Sequence, residues 1–106
     1  MYKAKFFYLI LIISSNLFFL PAHSDQMFEM GKDVFLNKAN CATCHTLAEA
    51  GSNGQLGPNL NQIKPDMMRV MSVVKNGIGI MPALEELLSA QEIEAVAHYV
   101  SIAASH

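Results

Sequence analysis

The clearest periodicity lies near the C-terminus, where Ile93, Val96, Ala97 and Val100 recur at i, i+3, i+4 and i+7. That spacing places one apolar stripe along a helix. Ser89-Ala90-Gln91-Glu92 stands just before it as a capping box and predicts where the helix begins. A second helix is predicted from Asp25, a good N-cap, through Met27, Met30, Val34 and Phe35 toward Asn37. A third is predicted to start at Pro65, pass through Met67, Val70, Met71 and Val74, and end at Asn76-Gly77 in a left-handed cap. No run alternates with period two, so the pattern predicts an all-α chain.

Gly31 falls inside the first of these helices, where it costs about 1 kcal/mol relative to Ala. A close helix crossing would explain that cost, and the C-terminal helix is the available partner. Two stretches lie outside the helices. Residues 50–61, AGSNGQLGPNLN, hold too many Gly and Asn for a helix interior. In residues 77–84, GIGIMPAL, Pro82 drives Met81 into an extended backbone, so its side chain is offered from a loop wall.

The N-terminus reads differently. Lys3 and Lys5 precede an apolar run from Phe6 to Leu20, and Ala22-His23-Ser24 offers small residues two apart, the pattern of a cleavable export signal. The run is interrupted by Ser14, Ser15 and Asn16 and falls short of the ~20 apolar residues of a membrane span. The expected division is a signal peptide at 1–24 and one domain at 25–106, with no membrane span after cleavage. Export places the two cysteines in an oxidising compartment. Residues 25–106 retain five of the seven basic residues against all nine acidic ones, a formal charge of 5 − 9 = −4, which argues against nucleic acid as a partner. A domain of 82 residues is small for a self-sufficient core and needs a further source of cohesion.

The chemistry is concentrated in Cys41-Ala42-Thr43-Cys44-His45. On one helical turn Cys41, Cys44 and His45 leave the same side of the backbone and converge on one object. A haem satisfies all three, because two thiols can add across its vinyl groups while the imidazole reaches its iron. Three other readings compete. A zinc site lacks a paired fourth ligand, with only His98 and His106 further along. A dithiol redox pair lacks a βαβ context. A disulfide across so short a loop would constrain the unfolded chain little.

Together with Gly57-Pro58-Asn59-Leu60, Gly79-Ile80-Met81-Pro82, Gly31, Phe35 and Tyr99, the motif resembles a small class I c-type cytochrome of bacteria over nearly all of residues 27–103. The resemblance implies three to five helices around one covalently attached haem c. It makes Cys41 and Cys44 the thioether residues, His45 and Met81 the axial iron ligands, and the Pro58 carbonyl the acceptor that orients His45. Independently, the other methionines beyond residue 24 sit on helical patterns, whereas Met81 alone occupies a Gly-rich loop. His98 competes for the sixth position, but Glu94 one turn earlier would account for it as a solvated pair.

With both axial positions filled, the resemblance implies a monomeric one-electron carrier and not an enzyme. Its expected donor is a dehydrogenase or quinol-oxidising complex and its acceptor a terminal oxidase. A cytochrome subunit of a periplasmic dehydrogenase, such as one oxidising sulfite, is the alternative, and a gas-binding sensor a more distant one.

Overall fold

In the computed structural model, residues 22–106 are described, and four α-helices and one minimal hairpin enclose a single core. Helix α1 spans His23–Asp33 and runs on without interruption into a wider π turn at Val34–Lys38, closed by Ala39 N donating to Val34 O at 2.8 Å. The start differs from expectation, since Asp25 lies in the first turn and Ala22 caps the helix. Most of the expected signal peptide, residues 1–21, lies outside the described residues.

A short 3₁₀ turn at Cys41–Thr43 follows, then β1 (Thr46–Leu47), a second 3₁₀ turn (Ala48–Ala50) and β2 (Ser52–Asn53). The strands pair antiparallel, Thr46 opposite Asn53 and Leu47 opposite Ser52. Neither the hairpin nor the four-residue helix α2 (Leu60–Ile63) is predicted from the sequence, which gives residues 50–61 as irregular chain. Two-residue strands are too short for alternation to register, and α2 is fixed by a cap, the Asn59 side chain accepting from Gln62 N.

Helix α3 spans Met67–Asn76 and begins two residues after the expected Pro65, because the Asp66 side chain accepts from Arg69 N at 2.8 Å and so takes the N-cap. It ends at Gly77, whose φ of 74° is positive but whose ψ of 168° is extended, so no left-handed cap forms. The extended ψ sends the chain straight into the Met81 loop. Helix α4 spans Ala90–Ala103, and its capping box forms as the sequence predicts, Glu92 N to Ser89 Oγ at 3.1 Å and Ser89 N to Glu92 Oε1 at 2.9 Å.

The core is the α1–α4 crossing with α3 laid against α4. Phe35, Leu47, Ala97 and Tyr99 are fully buried, and Val34, Val74, Val96 and Val100 nearly so. Gly31 is the point of closest approach: a Cβ built there would meet the Ala95 carbonyl oxygen at 2.0 Å and Tyr99 Cβ at 2.5 Å. Tyr99 packs between Phe28 and Phe35, with ring centroids at 4.8 and 5.7 Å. No helix among the described residues is long and apolar enough to cross a membrane.

Candidate functional site

Asn40, with a left-handed φ of 54°, turns the chain out of the π turn and into the motif. Cys44 N and His45 N then both donate to Cys41 O, at 3.1 and 3.0 Å, so Cys41, Cys44 and His45 share one turn. Cys44 and His45 line a cavity of about 330 Å³, and Cys41 packs against the core beside it. The two thiols are not bonded to each other. Burial pushes the Cys41 thiol up to about 11, the opposite of the activated thiolate a dithiol redox pair requires.

His45 is held from several directions by chain that comes later. Its Nδ1 lies 2.8 Å from Pro58 O. A carbonyl can only accept, so Nδ1 carries the proton and Nε2 keeps its lone pair for a metal. Gly57 N donates to Cys44 O at 2.8 Å, and the Ser52 hydroxyl donates to His45 O at 2.9 Å. The imidazole lies across Gly57, where a Cβ would come within 2.6 Å of Cε1, so glycine is required by the ring itself.

Met81 lines the same cavity from the loop after α3. Ile78 and Met81 exchange backbone hydrogen bonds at 3.1 and 2.9 Å around Gly79, which has φ of 56°. Gly77 lets this turn press close, since a Cβ there would meet Met81 O at 2.7 Å and Ala83 N at 2.8 Å. Most of the remaining wall is apolar: Phe35, Leu60, Val70, Val74, Val96 and Val100 among others. Cys44, His45 with its free Nε2 and the Met81 thioether line this greasy slot, with Cys41 beside it, and such a set of groups could hold a haem and its iron. Among the described residues no group of three or more His, Cys, Asp or Glu is placed to hold a metal ion, so a zinc site has no ligand set here.

The family model described as "Cytochrome C oxidase, cbb3-type, subunit III" matches residues 27–100. The chain belongs to the class I c-type cytochromes. It is 35% identical over 74 residues to cytochrome c6 of Microcystis aeruginosa, covering 66% of this chain and 89% of that protein. Cytochrome c6 of Tetradesmus obliquus is 37% identical over 81 residues, covering 67% and 84% respectively. Among solved structures, the c-type cytochrome SorU from Sinorhizobium meliloti is 50% identical with a TM-score of 0.72, covering 76% of this chain and 93% of its own. The cytochrome therefore has the cytochrome c fold, carries covalently bound haem c, and works as an electron carrier with redox partners.

His98 of this cytochrome does not line the cavity; its Nε2 lies 3.2 Å from Ser24 O, and that carbonyl, not Glu94, is its hydrogen-bonding partner. Three features of the site were not read from sequence. Leu56, Ile63, Ile78 and Ile80 line the cavity yet remain 71, 55, 56 and 83% exposed, forming an apolar mouth. Isolated apolar residues in a polar loop were the available signal. Arg69 also lines the cavity, on the α3 face shared with Val70 and Val73. Finally, Glu49 accepts from both Lys32 Nζ, at 2.7 Å, and the buried Tyr99 hydroxyl, tying the segment after the motif to the α1–α4 crossing. Burial and then the Glu49 carboxylate push the Tyr99 phenol far above its ordinary value.

Proposed function

We propose that this cytochrome is an exported, monomeric one-electron carrier whose haem is held through Cys41 and Cys44 thioethers and ligated on iron by His45 and Met81. The observation that carries the reading is the shared cavity: His45 and Met81, thirty-six positions apart, both line it, and Pro58 O engages the ring nitrogen that would otherwise compete for iron. When bound, the haem supplies a one-electron couple, and a thioether ligand favours the ferrous state. The residues keep that couple closed to substrate. Phe35, Val70 and Val96 exclude water, Pro58 fixes the imidazole, and the turn at Ile78–Met81 fixes the thioether.

Residues 1–24 direct the chain to the periplasm in this reading, and cleavage after Ser24 releases the domain at 25–106. Its donor is a dehydrogenase or quinol-oxidising complex and its acceptor a terminal oxidase. The test is Met81→Ala in the holoprotein. The expected result is a lower midpoint potential together with ready binding of carbon monoxide by the ferrous form, which the native protein resists. An unaltered visible spectrum and potential would remove Met81 from the iron.

A further inference from the structure

Apart from Tyr99, Ser52 is the only buried residue among those described whose side chain is polar; it is 7% exposed. A hydroxyl withdrawn from water into apolar surroundings is unfavourable unless its hydrogen and its lone pairs find partners. Ser52 Oγ lies 2.9 Å from His45 O, 3.1 Å from Leu47 N and 3.4 Å from Leu47 O. The hydroxyl has one hydrogen to give, and the shorter contact directs it to His45 O, while Leu47 N–H donates to the oxygen. One side chain thus bridges the carbonyl of His45 to the amide of Leu47.

Leu47 is fully buried, so the bridge ties the His45 main chain to a point fixed in the core. The ring is held elsewhere, by Nδ1 at 2.8 Å from Pro58 O. These are two separate holds on one residue. Pro58 sets the rotation of the imidazole, whereas the Ser52 bond sets the plane of the peptide after His45 and with it the direction from which the side chain leaves. Just after β2 the chain also presses on the motif directly: a Cβ on Gly54 would lie 2.5 Å from Cys44 C and Thr43 O and 2.7 Å from His45 N.

We infer that Ser52 is a positioning residue for the iron ligand: through the His45 carbonyl it fixes the backbone from which the imidazole is aimed. The inference rests on His45 ligating the iron of a bound haem. Without the hydroxyl the peptide plane after His45 is free to turn, and the ring must tilt or stretch its bond to Pro58. The same hairpin supplies an internal comparison. Thr46 Oγ1 donates to Gly54 O at 2.9 Å, a hydroxyl bond of the same kind that does not touch His45.

The test compares ferric holoproteins of the native chain, Ser52→Ala, Ser52→Thr and Thr46→Val by proton NMR. Haem methyl shifts report how the axial ligands are turned on the iron, and exchange of the His45 Nδ1–H with solvent reports its bond to Pro58. Ser52→Ala and Thr46→Val each lose one hydroxyl bond of the hairpin and both lower the thermal midpoint, so stability does not separate them. In Ser52→Ala the methyl shifts should change and ring exchange should quicken about tenfold, the factor that losing ~1.4 kcal/mol of local closure gives. Ser52→Thr should recover both, and Thr46→Val should keep native values of both. Native methyl shifts and exchange in Ser52→Ala, or equal changes in Thr46→Val, would overturn the role of Ser52 while leaving His45 on the iron. His45 ring resonances without a hyperfine shift in the native ferric protein would instead overturn the ligation, and this inference with it.

Discussion

Replacing Gly31 with alanine sets two opposed effects against each other. Helix propensity alone favours alanine by about 1 kcal/mol in a helix interior. Against this, the new Cβ would sit 2.0 Å from the Ala95 carbonyl oxygen, 2.7 Å from its carbon and 2.5 Å from Tyr99 Cβ. All three are backbone or Cβ atoms, so no flexible side-chain end can swing aside. Ordinary contact begins at 3.4 Å, so α1 and α4 must part by 3.4 − 2.0 = 1.4 Å at this point. A gap of ~1 Å forfeits up to half the dispersion well of the atoms facing it, and here those atoms include the Tyr99 stack with Phe28 and Phe35. Overpacking of this kind typically costs about 1–3 kcal/mol and sometimes more. The rigid atoms involved place Gly31→Ala at the upper end, about 2 kcal/mol destabilising after propensity is subtracted. Urea unfolding of the holoprotein, followed by far-UV circular dichroism, should show the midpoint falling by ~1 M, given slopes of about 1–3 kcal/mol/M for small domains. Gly51→Ala is the comparison, with φ of 66° but nothing within 4 Å, so only backbone strain of ~1 kcal/mol applies. A midpoint for Gly31→Ala at or above the native one would refute the close crossing.

Glu49 predicts an acid-dependent stability. Burial would raise its carboxyl, but hydrogen bonds from Lys32 and Tyr99 outweigh that and hold it below the ordinary 4.5. A depressed carboxylate stabilises the fold above its unfolded value, and the contribution disappears as pH falls through the folded value. Glu49→Gln should therefore lower the thermal midpoint at pH 7 by an amount equivalent to about 1 kcal/mol, reduced from a fully buried charged bond because the side chain is 34% exposed. As pH falls from the ordinary 4.5 through the lower folded value the two curves should converge; parallel curves throughout would contradict the linkage. Replacing both Cys41 and Cys44 with Ser should leave haem extractable by acid acetone, whereas covalent haem in that variant would sink the attachment scheme.

Helices α1, α3 and α4 were legible because each announces itself locally, through apolar spacing in α1 and α3 and through the Ser89–Glu92 box in α4. The motif was legible because its geometry is contained in one turn, Cys41 to His45. What escaped the sequence did so for different reasons: competing local caps, strands too short to show a pattern, and contacts between distant segments. The Asp66 cap displaced Pro65 as the start of α3, the hairpin at residues 46–53 is too short to show a period, and His98 found its partner at Ser24 and not on its own helix. The place of Arg69 on the cavity wall escaped as well, since only the folded chain reveals that the rest of that wall lacks permanent charge.

The hydrogen bond from His45 to Pro58 spans only thirteen positions, and closing a loop of about that length takes on the order of 10–100 ns. The contact of Gly31 with Ala95 joins residues 64 positions apart and carries a larger closure entropy. Aiming the imidazole therefore carries a smaller closure cost than bringing the terminal helices together, and the ring's orientation draws on a shorter stretch of chain than the helix crossing does.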